Sequence, residues 1–574
     1  MTLPKHWVVA PAASPDALRR FRGMGPILAQ TLYNRGFDDP ETARQFLHAD
    51  YNAEIPFCKR DMDRAVDRIR RAIRENHQII VYGDFDADGV TSTALMVQTL
   101  RELGARVAPY IPHRVDEGYG LNGPALRKLA LDGAKLIITV DCGIRSVEEV
   151  EEGKLAGLDI IITDHHSVGD EVPQAYAVIN PKLERDESHP EYMLAGVGVA
   201  FRLAEKLLKV ANVMDRRKPR LSPDDLLDLV AIGTVADLAP LNKTANRSLV
   251  RRGLEIINTA NRCGLRALLE VSGIKPGAVT AMNIGFALGP RINAAGRLES
   301  AMIAYNLLTC QDDAESLVLA NQLQSLNNER QALTREAQEK IRVHIEEQSR
   351  DLPLIFASDR GFRPGIVGLV AGRLTEEFFR PSVVMEEGDV ESRASCRSIP
   401  QFDITRALDK CADLLVRHGG HAQAAGFTVL NQNIPALKQM LMGLAKHDLA
   451  GQELRPMLEI DVETDIHHLS EPLVSELALL EPTGYMNPMP TLISRNVRVL
   501  ECRTVGKDGN HLKLKLARAG QPPLDAIGFG LGSWAGQMPD RLDVAYQLEI
   551  NEWNGYRNLQ LNLQDIRPAS ENGR

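Results

Sequence analysis

The sequence predicts an α/β protein: a parallel-sheet domain and a second α/β domain joined by a long helix, followed by a small antiparallel β-barrel. Three observations predict it. From Gln78 onward, short β-branched runs alternate with helical stretches, the pattern of a parallel sheet with crossover helices. Asp313 to Gln348 contains neither Gly nor Pro, and at about 1.5 Å per residue an unbroken helix of that length is a strut of about 50 Å. Beyond Leu458 short strand-like segments dominate, with turns at KDGN and WNG.

Taken in order, residues 1–55 read as a helical packing extension, with amphipathic stretches at Pro26 to Phe37 and Glu41 to His48. Residues 56–240 form the parallel-sheet domain, with QIIVYG, RVAPYI, KLIITV, DIIIT and AYAVIN as strands. Residues 241–349 are helical and end in the strut, 350–452 form the second α/β domain, and 453–574 form the barrel. No internal repeat or low-complexity tract interrupts this order.

Composition narrows the class. Of 574 residues, 25% are charged and 44% hydrophobic, as in ordinary folded multidomain proteins. A net charge of −9 argues against a protein held to nucleic acid by bulk basicity, yet leaves room for a local arginine groove. The seven cysteines are scattered, with no CxxC pair, and read as reduced thiols rather than a zinc site or disulfide framework. Met1 to Ala13 lacks a sustained apolar run, and no segment reaches the roughly 18 apolar residues of a membrane span, so a cytoplasmic protein is expected.

The chemistry lies at strand ends. VYGDFDADG places Asp84, Asp86 and Asp88 directly after one strand, IITVDCG places Asp141 after another, and IIITDHH places Asp164, His165 and His166 after a third. Strand ends of an open parallel sheet converge on one edge, where ligands bind. Clustered carboxylates repel and raise one another's pKa unless cations neutralise them. Adding imidazole to an oxygen-rich set suits manganese or magnesium, and with Asp237 in GTVAD closing the shell from the side, two ions are expected. A lone Asp after a strand is usually a helix cap; four such sites beside paired histidines outweigh that reading. An EF-hand is excluded because Leu95 stands where the bidentate glutamate would be, and a strand rather than a helix precedes the loop.

In order and spacing, DFDADG, VDCG, the Asp164-His165-His166 triplet and GTVAD resemble the four motifs of the DHH phosphoesterase superfamily. The likeness runs from about residue 56 to about 566 and includes GPRINAAGR, SxRS and GGHxxAAG, elements similar to those of its single-strand-specific exonuclease branch. The resemblance implies that Asp86, Asp88, Asp141, His165 and Asp237 coordinate metal, with Asp141 as the bridge. Asp84 is then a ligand or an outer-shell acceptor. Asp164 is either a further metal ligand or, with His166, a group that orients His165 and touches the scissile phosphate. Asp141, His165 and His166 are accordingly the expected catalytic set.

Arg393, Ser395 and Arg397 in SRASCRS, flanked by Ser392 and Ser398, suit a phosphate. The resemblance makes 350–452 the DHH-associated domain, facing the metal site across a cleft. Gly419, Gly420 and His421 would let backbone approach a nucleotide, or form an ordinary turn. His113, Arg114, Arg291 and Arg297 are further candidates to bind the strand, against the usual reading of an arginine as a solvated charge. The barrel is similar to an oligonucleotide-binding fold, with Trp553 and Tyr556 as stacking platforms or as barrel packing.

The resemblance implies a monomeric exonuclease that digests single-stranded DNA 5′ to 3′ to 5′ mononucleotides in recombination and repair, with a single-strand-binding protein and a helicase as partners. A small-molecule or short-oligonucleotide phosphoesterase is the alternative, though it would not need the strut and barrel. An inactive scaffold is a second alternative, but every expected ligand position here is acidic or His.

Overall fold

In the computed structural model the described residues are 3–49, 51, 56–114, 116–213, 218–259, 261–348, 352–518, 522–553 and 556–569; in 346–348, 553 and 556 the description is of backbone only. The parallel sheet consists of β1 (Gln78–Gly83), β2 (Arg106–Tyr110), β3 (Ala134–Val140), β4 (Asp159–Thr163) and β5 (Ala177–Ile179). Its order is 2-1-3-4-5, with every neighbouring pair parallel. Chain direction across the sheet reverses between β1 and β3, which opens a crevice at their carboxyl ends. The strands are apolar on both faces because helices cover both: Ile79, Val81 and Leu136 belong to one core, and Ile80, Ile137 and Ile160 to the other.

Helix α1 (Ala87–Glu102) follows β1, and α2 (Gly196–Val213) and α3 (Leu227–Ala236) pack against it. Helix α4 (Gly289–Leu298) lies on the strut α5 (Asp313–Gln348), which is unbroken over 36 residues, as its lack of Gly and Pro predicts. The strut reaches α6 (Pro364–Phe378), a helix of the second α/β domain. That domain has a mixed sheet of β6 (Ile355–Asp359), β7 (Ser382–Glu386), β8 (Glu391–Arg397), β9 (Leu415–His421) and β10 (Ala424–Leu430), ordered 9-10-8-7-6.

The C-terminal strands β11 (Val462–Glu463), β12 (Leu492–Val505), β13 (His511–Ala517), β14 (Leu524–Gly528), β15 (Arg541–Trp553) and β16 (Tyr556–Pro568) form a barrel that closes through β12 and β15. Two pairings are parallel, β11 with β12 at the margin of the sheet and β14 with β16 within the closed ring of β12 to β16, whereas the sequence reading has an antiparallel barrel. The reason is topological: five strands close the barrel, and an odd ring cannot alternate direction throughout. The N-terminal residues are part of this body, since Phe21, Leu28, Leu32 and Phe46 share a core with Leu492, Leu512 and Leu548. Strand His6–Val9 also pairs in parallel with Met457–Ile460.

Arg247 fastens the helical region to that body. It is fully buried, and its five N–H groups donate to the carbonyls of Phe46, Leu479, Leu480, Glu481 and Pro482 at 2.7–3.3 Å. Its guanidinium also stacks 4.1 Å above the Phe46 ring. Arg247→Met keeps the bulk and removes the donors, stranding buried carbonyls, and is expected to lower stability by about 3 kcal/mol or more. Urea unfolding measures this; a change within experimental scatter would show that the contact carries no stability.

Candidate metal centre and nucleic-acid cleft

The strand ends deliver the acids as expected. Asp86 caps α1, its carboxylate accepting from the N–H groups of Asp88 and Gly89 at 3.0 Å. Asp88 in turn accepts from Gly196 and Val197 N–H at 2.7 and 2.8 Å, where α2 presents its unpaired N-terminal donors. Asp141 adopts a left-handed backbone, φ 62°, held by its N–H donating to the Thr163 carbonyl. A Cβ on Gly196 would lie 2.5 Å from Asp141 Oδ1, so that position must lack a side chain. Asp237 closes α3 at its C-terminus, the end where a negative charge is disfavoured.

Three overlapping sets of donor atoms result: Asp84, Asp86 and Asp141; Asp88, His165 and Asp237; and Asp141, His165 and His166, each within 4.8 Å. Asp141 and His165 belong to more than one set. His165 Nε2 lies 3.1 Å from Asp141 Oδ1, 3.8 Å from Asp237 and 3.9 Å from Asp88. Asp84 Oδ1, Asp141 Oδ1 and His165 Nε2 are buried and lack hydrogen-bond partners. Such atoms are costly unless something coordinates them, and carboxylate oxygens with one imidazole fit a hard divalent cation.

Asp164 differs in kind. Fully buried, it accepts from the backbone N–H groups of Ile144, His165 and His166 and pairs with His166 Nδ1 at 2.8 Å. Its acceptor positions are taken, so it holds the two histidines in place and has little left for a metal.

The electrostatics agree with this division. Burial, followed by the charges of neighbouring aspartates, pushes Asp84, Asp141 and Asp237 well above the usual carboxylate range and Asp88 up to about 7. Asp164 is lowered: burial would raise it, but its hydrogen bond to His166 and the histidine charges outweigh that. Burial, then His166, lowers His165 to about 3, leaving a neutral imidazole. For His166, burial opposes the cation, but the Asp164 hydrogen bond and charge prevail and raise its pKa.

Of the predicted phosphate binders, some converge and some do not. The Arg114 guanidinium lies 3.8 Å above the Phe85 ring, within the field of Asp84 and Asp86. Arg297 is lowered to about 9 by burial and then by Arg114 and Arg330, with Arg397 also acting on it. Arg397 bonds Ser395 Oγ at 3.2 Å. Two close approaches join these groups: a side chain on Gly296 would strike the Phe85 carbonyl, and one on Gly365 the Arg297 carbonyl. Helix α4 is therefore held backbone against backbone to the first domain at Phe85 and to the second at Gly365.

Arg291 does not join them; it is committed to Gln324 and the Ala287 carbonyl, both at 2.8 Å. Arg393 is exposed and faces Glu386 across the strands. Ser392 and Ser398 are buried on the opposite sheet face. His113 lies 2.7 Å from Asp116. Gly419, Gly420 and His421 end edge strand β9 rather than forming the turn, with Gly420 at φ 148° against Ala424. Gly419 and His421 share a sheet face with Ser395 and Arg397 through the register Gly419–Gly426–Ser395 and His421–Ala424–Arg397, whereas Gly420 is in register with Ala425 and Cys396 on the other face. The side chains of Trp553 and Tyr556 lie outside the described residues.

Sequence reading missed Tyr119, whose hydroxyl lies 3.1 Å from His166 Nδ1, and Arg330, read only as part of the strut. It also missed Asn293, which accepts from Ala87 N–H at 2.8 Å, and Asn180, whose amide donates to the His166 carbonyl at 2.9 Å. Asn180 follows a strand end, so the rule that flagged Asp141 and Asp164 could have found it.

Parallel strand ends that gather Asp and His donors able to hold a cation fit the DHH class of phosphoesterases. Family models match accordingly: the DHH family N-terminal domain at 78–234, the DHHA1 domain at 351–446 and the RecJ OB domain at 460–565. The chain is 38% identical over 570 residues to the single-stranded-DNA-specific exonuclease RecJ of Escherichia coli, covering 95% of this chain and 96% of that protein. It is 39% identical over 545 residues to RecJ of Bacillus subtilis, covering 94% and 68%. A crystal structure of Thermus thermophilus RecJ in complex with Mn2+ superposes with a TM-score of 0.83 at 31% identity, over 98% of this chain and 80% of that one. A Mg2+ complex of the same protein gives 0.79 at 30%, over 98% and 79%. The chain belongs to the RecJ family.

Because protonated carboxyls are favoured in the folded, metal-free centre, the stability they contribute is complete below the ordinary range near about pH 4. It is lost as pH rises through the raised values, about 7 for Asp88. Melting of chelator-treated protein is expected to fall between about pH 5 and pH 8, and manganese to restore the loss at the upper end. A metal-free melting point that climbs over that interval would contradict the repulsion.

Proposed function

We propose that the protein is a metal-dependent exonuclease that degrades single-stranded DNA from its 5′ end and releases 5′ mononucleotides. One observation carries the reading most strongly: unpartnered Asp and His atoms gather at the sheet crevice beside arginines from the first domain, α4 and the second domain. Asp84, Asp86 and Asp141 would hold one cation, and Asp88, His165 and Asp237 another, with Asp141 serving both. Two Mn2+ or Mg2+ ions, when bound, supply an activated water and neutralise the charge that develops on the phosphate.

The chain's own residues do the rest. His165 offers a neutral imidazole because burial disfavours its cation. Asp164 fixes the His166 ring through Nδ1 and favours its protonated form, which suits a group that touches the scissile phosphate. Arg114, Arg297, Ser395 and Arg397 bind the terminal 5′ phosphate and hold the next phosphodiester at the metal centre. The barrel tracks the incoming strand. A monomer suffices for this chemistry, with a single-strand-binding protein and a helicase presenting the strand in recombination and repair.

Asp141→Ala is expected to abolish hydrolysis, a loss of at least about 1,000-fold, while circular dichroism and melting stay near wild type. Full activity in manganese would remove the assignment. Single-stranded DNA labelled at either end decides polarity: the 5′ label should be released first, and early release of the 3′ label would overturn it. Preference for a dinucleotide over a strand of about 20 nucleotides would instead favour a short-oligonucleotide phosphoesterase.

A further inference from the structure

Among the described residues, a half-buried cation beside the carboxylate cluster has no ion-pair or hydrogen-bond partner. Lys182 belongs to the 3-10 turn Pro181–Glu184 that follows β5. Its backbone is pinned: Asn180, itself fully buried, accepts from Lys182 N–H at 2.9 Å through Oδ1 and donates to the His166 carbonyl through Nδ2. The one acid on the same turn is engaged elsewhere, since Glu184 Oε1 accepts from Cys58 N–H at 2.8 Å. Among the described residues the Lys182 ammonium has no carboxylate at ion-pair distance and no hydrogen-bond acceptor. The charges it feels are those of Asp164 and Asp237, and it acts in turn on His165.

Those neighbours locate it on a particular flank. Arg114 stacks over the ring of Phe85, between Asp84 and Asp86, and α4 brings Arg297 against the same residue's backbone, whereas Lys182 is tied through Asn180 to His166 on the other side, within the field of Asp237. Cations therefore bracket the centre, with fork-shaped donors on one flank and a compact ammonium on the other. A strand whose terminal phosphate rests on the arginines and whose scissile phosphate rests in the centre must carry its next phosphate out over the remaining flank. An unpaired, partly desolvated ammonium there lacks only an anion.

We infer that Lys182 is a positioning residue that binds the backbone phosphate immediately 3′ of the scissile one. The inference rests on the exonuclease reading above. It separates Lys182 from the chemical step: a residue that grips the downstream phosphate matters only for substrates that possess one.

The test compares 5′-phosphorylated dinucleotide and trinucleotide DNA in manganese, using wild type, Lys182→Met and Lys182→Arg. The dinucleotide has only the terminal and scissile phosphates; the trinucleotide adds the next. Lys182→Met is expected to raise KM for the trinucleotide about tenfold, the size of one charge-assisted hydrogen bond, with kcat unchanged. Both parameters for the dinucleotide should stay at wild type, and Lys182→Arg should recover most of the trinucleotide KM. An equal loss on both substrates, or none on either, overturns the inference, as does a fall in kcat alone. Lys182→Gln replaces Lys182→Met if the methionine variant melts at a lower temperature. If wild type itself fails to cut the trinucleotide, the exonuclease reading fails first, and the two failures remain distinct.

Discussion

Mutual repulsion among buried carboxylates is the constraint around which the rest of the structure is arranged. Asp84, Asp88, Asp141 and Asp237 are drawn together at one crevice, and burial with their shared charge lifts each above the ordinary range. A protein keeps such a cluster only if the surrounding scaffold overdetermines it. Here the scaffold is the sheet edge, the N-terminus of α2 on Asp88, and the left-handed backbone that aims Asp141. Asp237, at the wrong end of a helix dipole, adds a cost that only a cation offsets.

The histidines show how one buried aspartate sorts two chemically identical neighbours. Asp164 bonds the backbone N–H of both, but only the His166 ring. His166 is thereby favoured as a cation, while His165 is left neutral with an unpaired Nε2 among carboxylates. On the proposed reading, two residues adjacent in sequence so acquire opposite roles, donor and ligand, from a single side chain that itself stays out of the metal set.

Much of this was legible in the sequence because the signals were local. Strand-end aspartates, the strut without Gly or Pro, and alternating β and α runs each depend on a few adjacent residues, and all appear where expected. What escaped depended on tertiary proximity. Nothing in GPRINAAGR says that Arg291 would be consumed by Gln324 while Arg297 reaches the cleft, because the two differ only in which neighbour α4 turns toward. Arg330 and Lys182 carried no local mark beyond their charge. The parallel seam in the barrel was hidden because strand count, not strand sequence, dictates it.

The contact between domains links specificity to geometry. Gly296 abuts the Phe85 carbonyl and Gly365 abuts the Arg297 carbonyl, with no side chain between to act as a cushion. Phe85 stands between Asp84 and Asp86, so the metal centre and the arginine set are coupled through a few backbone atoms rather than through mobile side chains. Packed backbone resists compression and stretching, which fixes the spacing between the carboxylate cluster and the arginines. On the proposed reading that fixed distance is a ruler. A strand anchored by its terminal phosphate can present only the phosphodiester one nucleotide inward, and mononucleotide release follows from domain spacing rather than from recognition of any base.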